Sequence, residues 1–178
     1  VSTNNDPLAA PAIRNCGKYR REVVYEGQKT AKLLYTTLNY PVLRYSDVLL
    51  MYAEASNEVS GVSQEAYDCV KAVRDRAGIK TKAMSEYDKE SFRELVRNER
   101  GRELCFESLR KYDLIRWGIY VEEMNKYTEW TADERWSKNA KAARAASIGG
   151  YVKDMHIVLP IPSIELGVND LLVQNPLW

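Results

Sequence analysis

Glu99 and Glu103 place two carboxylates where a helix should be apolar. Winding residues 92–108 at about 100° per residue brings Phe92, Leu95, Val96 and Phe106 to one face, with the two glutamates near its middle. An ionised carboxylate taken out of water costs several kcal/mol unless it is paired, bound to a metal or neutralised. Partners are therefore required, and the segment that follows supplies Arg110 and Arg116, whose planar forks match carboxylates.

Three uses of such an acid pair compete. A glycosidase needs carboxyl groups that flank a substrate, about 5 to 9.5 Å apart, whereas Glu99 and Glu103 are neighbours on one helix. A di-metal bundle needs Glu-x-x-His motifs on facing helices, and the chain has one histidine, His156. A structural Glu/Arg network that stitches helices together is the reading the residues favour. His156 reads as a structural or surface residue, since no catalytic partner stands near it in sequence.

The 178 residues suffice for one domain with a substantial core. With 26 basic against 25 acidic residues and a net charge of +1, the composition carries no bulk electrostatic footprint for nucleic acid or an anionic membrane. No run approaches 18 apolar residues, and neither a phosphate-binding glycine loop nor a nucleophile elbow or zinc motif occurs. No catalytic residue, cofactor or metal is therefore expected. Cys16, Cys69 and Cys105 read as unpaired thiols that behave as small hydrophobes.

Along the chain, residues 1–40 read as an extended lead-in, with two short strands or extended segments between Lys18 and Tyr40, 41–127 as a helical core, 128–150 as an exposed connection, and 151–178 as a tail packed on the core. The first helix runs from after Pro41 to about Val59, with Tyr45, Val48, Leu49, Tyr52, Ala55 and Val59 as its stripe and Gly61 at its end. Ser63 caps the second, whose stripe is Ala66, Val70, Val73 and Ala77 and whose stop is Gly78. The third starts at Asp88 or Ser91. A fourth is expected over 109–127, with Tyr112, Ile115 and Ile119 on one side. Residues 152–162 read as strand or extended chain, and the closing coil should pack through Leu171, Leu172 and Trp178. The first two helices form a pair of the size of one tetratricopeptide unit.

Three ordered blocks resemble a known family. The run Asn98-Glu99-Arg100-Gly101-Arg102-Glu103-Leu104-Cys105-Phe106-Glu107-Ser108-Leu109-Arg110-Lys111-Tyr112-Asp113-Leu114-Ile115-Arg116-Trp117-Gly118 resembles the Glu-Arg-x-x-Glu-Leu-x-Phe-Glu-Gly-x-Arg-x-x-Asp-Leu-x-Arg-Trp signature of the SusD/RagB family of glycan-capture lipoproteins. Tyr40-Pro41-Val42-Leu43-Arg44-Tyr45-Ser46-Asp47-Val48-Leu49-Leu50-Met51-Tyr52-Ala53-Glu54-Ala55 is similar to a helix of that family. Leu159-Pro160-Ile161-Pro162-Ser163-Ile164-Glu165, with Asn169 and Gln174-Asn175-Pro176, resembles its closing element. Ser108 stands where glycine is usual, and Ser46 where alanine is.

The resemblance implies a mainly α fold of tetratricopeptide-like helix pairs with irregular or short-strand segments. It also implies the C-terminal portion of an exported, lipid-anchored outer-membrane protein that holds oligosaccharide or polysaccharide and partners a TonB-dependent, SusC-like transporter without doing chemistry. Glu99, Arg100, Glu103, Arg110, Asp113, Arg116 and Trp117 are its structural signature. Sugar rings dock on aromatic planes, and Tyr127, Trp130 and Trp136, beside Glu129, Asp133, Glu134, Arg135 and Asn139, are the candidate glycan contacts. They fall in the stretch that reads as a loop. Helix pairing alone would also suit a tetratricopeptide-like adaptor for a protein partner, and a free-standing glycoside hydrolase ranks third.

Overall fold

A computed structural model describes Lys18, residues 40–132 and residues 151–178. These residues carry six α-helices and no strand: α1 Tyr45–Ser60, α2 Gln64–Arg76, α3 Lys89–Glu103, α4 Arg110–Arg116, α5 Tyr120–Ala132 and α6 Ser163–Val168. They fall into two compact units, one within Cys16–Arg110 and the other within Lys111–Trp178. The short strands expected before Tyr40 lie outside the described residues.

In the first unit, α1 packs against both α2 and α3. The three residues between α1 and α2 force an antiparallel pair. Gly61 opens that turn with φ +79°, and its N–H returns to the Asn57 carbonyl. Ser63 caps α2 by accepting from the Ala66 N–H at 3.1 Å. Gly78, at φ +73°, stops it in a Schellman turn, in which the Gly78 and Ile79 N–H groups bond the Asp75 and Arg74 carbonyls. Asp88 caps α3 by accepting from the Ser91 N–H at 2.8 Å.

The core between these helices is small and tightly closed. Leu50 and Ala53 of α1, Ala66, Tyr67, Val70 and Val73 of α2, and Phe92 and Val96 of α3 form one buried cluster. Ala53 and Ala66 have no exposed surface, so the α1–α2 contact rests on small side chains that let backbones approach. Asn57 is also fully buried and donates from Nδ2 to the Lys89 carbonyl at 2.9 Å, tying α1 to the start of α3.

The buried face of α1 is not the expected one. Tyr45 is 76% and Val59 84% exposed, while Asp47, Leu50, Ala53 and Asn57 point inward. A count of apolar residues favours the outer stripe because the inner one carries two polar groups. Asp47 and the Asn57 Nδ2 amide are satisfied by partners distant in sequence, whereas the buried Asn57 Oδ1 accepts no hydrogen bond. Ala77, expected on the α2 stripe, is exposed at its C-cap. α3 ends at Glu103, so Phe106 leaves the helical face and is exposed.

The single helix expected over 109–127 is two. Gly118, at φ +72°, closes α4 with the same Schellman pattern: its N–H bonds the Ile115 carbonyl and that of Ile119 bonds Leu114. Asp113 and Leu114 face inward on α4, and Tyr112 is exposed. α5 then continues to Ala132, past the point where a loop was expected.

The tail folds on itself. The Gln174 side-chain amide brackets Ile161, accepting its N–H at 2.8 Å and donating to its carbonyl at 3.0 Å. The Trp178 indole donates to the Met155 carbonyl at 2.8 Å and packs edge-on against His156. His156 itself accepts the Lys153 N–H at 2.8 Å through Nδ1, capping a 3-10 turn at Asp154–Ile157 where strand or extended chain was expected. Leu171, expected to anchor this coil, is 90% exposed; Trp178 does that work.

Ser108 adopts φ +63°, a left-handed conformation that costs an L-residue about 1 to 2 kcal/mol and glycine almost nothing, less the entropy glycine loses on folding. Ser108→Gly is therefore expected to stabilise the chain by about 0.5 to 1 kcal/mol. Urea denaturation measures it, and a loss of stability would show that the Ser108 side chain makes a compensating contact.

Candidate functional site

Glu99, Glu103 and Glu107 form an acid ladder at successive four-residue steps, two on α3 and one in the turn after it. Glu99 receives Arg74 of α2, Nη1 to Oε2 at 2.8 Å, with the Arg102 guanidinium at 3.8 Å. Glu103 receives Arg76 of α2 at 2.5 Å and Arg44, which precedes α1, at 2.9 Å. Glu107 is gripped by Arg44 through Nε at 2.9 Å and Nη2 at 2.8 Å, and it also pairs with Lys18.

Arg44 is thereby engaged through all three of its nitrogens. Besides the two carboxylates it donates from Nη2 to the Glu103 carbonyl at 3.0 Å. Lys18 completes the cradle with bonds to the Glu103 and Cys105 carbonyls at 2.7 and 3.1 Å, and the Tyr40 hydroxyl donates to the Glu107 carbonyl at 3.1 Å. The turn after α3 is thus held by side chains from the segment ahead of α1.

Burial opposes ionisation of Glu103 and Glu107, but hydrogen bonds from Arg44 to both, with Lys18 on Glu107 and the Arg76 charge beside Glu103, outweigh it. Both carboxyls are held below the usual carboxylate range. The Arg44 guanidinium is correspondingly raised, chiefly by its bond to Glu107.

A second buried pair lies beside the ladder. Arg100 donates to Asp47 of α1 at 2.8 Å, with Glu54 at 3.9 Å, and both Arg100 and Asp47 are almost wholly inaccessible. α3 therefore carries inward-facing charges of both signs. Each meets its counter-charge on another element.

The expected partners of the acids are corrected by this geometry. Arg110 donates to the Arg97 carbonyl at 3.1 Å and lies over Gly101, where a Cβ would come within 3.2 Å of its guanidinium. That close approach accounts for a glycine inside a charged helix. Arg116 pairs with Asp113 on its own helix, Nε to Oδ1 at 3.0 Å, and its guanidinium stacks 4.9 Å above the Trp117 ring. The cations that serve Glu99 and Glu103 come instead from α2 and from Arg44.

Sequence reasoning missed Arg44, Asp47, Arg74, Arg76 and Glu107 as partners. One signal was available, since Arg44 and Asp47 sit inside the matched Leu43-Arg44-Tyr45-Ser46-Asp47 block.

Of the candidate glycan contacts, Tyr127 and Trp130 belong to α5, three residues apart and so about one turn from each other. Trp136 lies outside the described residues, as do Asp133, Glu134, Arg135 and Asn139. Cys69 and Cys105 are unpaired, and burial raises the Cys69 thiol. Among the described residues no group of three or more His, Cys, Asp or Glu side chains comes together as a metal site, and no helix is long and apolar enough to cross a membrane.

The model described as the SusD family matches residues 3–178. Among similar curated proteins, SusD-like protein P25 of Formosa agariphila is 35% identical over 77% of this chain and 24% of its own length. SusD-like protein P2 of the same organism is 37% identical over 46% of this chain and 17% of its own. A solved SusD homolog from Bacteroides thetaiotaomicron superimposes with a TM-score of 0.66 at 33% identity, covering 85% of this chain and 30% of that one. The chain thus spans about a quarter of the length of the first of these curated relatives.

Glu99→Ala is expected to lower stability by about 3 to 5 kcal/mol, because it strands Arg74 in a half-dry site. A double change of Glu99 and Arg74 to apolar residues should cost less, which denaturant melts of both variants will decide. Acid should act in the same direction. Because the Glu103 and Glu107 carboxyls are depressed, the unfolded chain binds more protons once pH falls through the ordinary value of 4.5. Their contribution is complete above that pH and is lost as pH drops through the depressed folded-state values. A melting temperature unchanged between pH 6 and pH 3 would contradict the ladder.

Proposed function

The chain belongs to the SusD family, and on that premise we propose that it is part of a non-catalytic, surface-exposed outer-membrane lipoprotein. In this reading the whole protein captures oligosaccharide or polysaccharide nutrients and delivers them to a TonB-dependent, SusC-like transporter. The observation that carries the reading is the family match over residues 3–178. It is supported by the ion-paired scaffold, in which Glu99, Glu103 and Glu107 are each engaged by cations of the fold. Those acids serve the architecture and leave binding to other surfaces.

Tyr127, Trp130 and Trp136 are the proposed glycan contacts. Aromatic faces cover the apolar faces of sugar rings, and the neighbouring Glu129, Asp133, Glu134, Arg135 and Asn139 offer partners for hydroxyls. A platform drawn from one short stretch encloses little of a ligand. The longer protein is therefore expected to bind its glycan more tightly than this chain does.

Titration calorimetry of this chain and of a full-length parent against a panel of soluble polysaccharides tests the reading. The parent should bind one of them, and this chain should bind the same one about a hundredfold more weakly, the equivalent of roughly two lost contacts. Neither protein should release reducing sugar. Equal affinities, abolished by Trp130→Ala or Trp136→Ala, would place the whole site here. Absence of saccharide binding by the parent, or hydrolysis, would overturn the proposal.

A further inference from the structure

The first unit contains a cleft of about 390 Å³, lined by the 80–82 loop, Tyr87 and one side of α3. That size suits a small ligand or one or two sugar units. Its charge departs from that of the chain as a whole. Lys80, Lys82, Arg74 and Arg102 line it against one rim carboxylate, Glu94, while the full sequence carries +1.

The loop bearing the lysines is built. Arg74 donates from Nε to the Thr81 hydroxyl at 3.0 Å and from Nη2 to the Lys80 carbonyl at 2.9 Å, while its Nη1 is held by Glu99. The buried Tyr67 hydroxyl donates to the Lys82 carbonyl at 2.8 Å. Backbone is thus pinned on both sides of Thr81. The Lys80 and Lys82 side chains stand exposed and have no hydrogen bond or ion pair among the described residues. Across the cleft, Arg102 is 61% exposed and only loosely engaged by Glu99 at 3.8 Å, and Asn98 adds an amide.

We propose that this cleft is a subsite for the anionic substituents of an acidic polysaccharide, a sulfate ester or a uronate carboxylate, held by Lys80, Lys82 and Arg102 with Asn98 on a neighbouring hydroxyl. The inference rests on the proposed glycan-binding function and names the substrate class. A nucleic acid fits less well. Tyr87 packs edge-on against Phe92, with ring centroids 5.9 Å apart, so no pair of aromatic faces is offered to bases. With the Arg74 charge taken by Glu99, the three remaining cations around the cleft also match a few discrete anionic groups better than a continuous phosphate backbone.

The test is binding of this chain to dextran sulfate, to oligogalacturonate and to uncharged dextran at 150 mM salt. Either anionic polymer should bind more tightly than dextran, the one that does so identifies sulfate or carboxylate as the group recognised, and affinity should weaken as salt rises. Lys80→Ala and Lys82→Ala should each lower that affinity about tenfold, the worth of one charge-assisted contact. Lys71→Ala, which removes an exposed α2 charge outside the cleft, should not. Both loop lysines are exposed, so circular dichroism of the variants should match the parent chain. Unchanged affinity in the Lys80→Ala/Lys82→Ala double variant would overturn the cleft, even if neutral glycans bind and the wider function stands. So would absence of binding to both anionic polymers, or tighter binding of a single-stranded oligonucleotide of equal charge.

Discussion

A carboxylate in the middle of an apolar helix face must find a cation, and in this fold that requirement decides which elements meet. Glu103 and Glu107 both close on Arg44, which stands just ahead of α1. Glu99 closes on Arg74 of α2, and Arg100 on Asp47 of α1. The apolar core alone would tolerate sliding of α3 along its neighbours, since Leu50, Val70, Phe92 and Val96 offer contact without direction. Charge pairs at several heights on one helix remove that freedom, because a shift of one turn would strand buried charges of both signs.

The cost of this arrangement is borne by desolvation, and the geometry shows how it is offset. Arg44 meets two carboxylates and a carbonyl with one planar group, which suits arginine and not lysine. Lys18, with three donors, caps carbonyls of the turn after α3 as well as Glu107. In that turn the backbone visits positive φ at Phe106 and Ser108. Side chains ahead of α1, Lys18, Tyr40 and Arg44, hold this strained turn through ion pairs and hydrogen bonds.

Much of this scaffold was legible in the sequence. The cap at Ser63 and the stops at Gly61 and Gly78 follow from local chemistry, and each stands where the residues place it, while of the two starts open for α3, Asp88 and Ser91, the cap is Asp88. What was not legible is long-range. α1 buries Asp47 and Asn57 because their partners, Arg100 and the Lys89 carbonyl, lie 53 and 32 residues away. Hydrophobic periodicity therefore selects the opposite face. The break at Gly118 was hidden for a related reason: apolar residues continue through it, whereas the glycine's positive φ ends the helix. For the candidate site, the Trp130 position was read as loop because its neighbours are polar, and α5 runs through it.

The strongest sequence signature therefore reports architecture more than recognition. Of its charged residues, Glu99, Arg100, Glu103 and Glu107 meet partners within the scaffold, and Gly101 is small so that Arg110 can lie across α3. A surface that discriminates ligands must instead hold polar groups in place while leaving them unsatisfied. The Lys80-Thr81-Lys82 loop has that character: its backbone is tied by Arg74 and Tyr67, and its ammonium groups are not tied to anything among the described residues. Arg74 joins the two roles, since one face of its guanidinium neutralises the buried Glu99 and the other edge holds the loop. Through that one side chain the ion network that sets the helix packing also sets the position of the exposed charges.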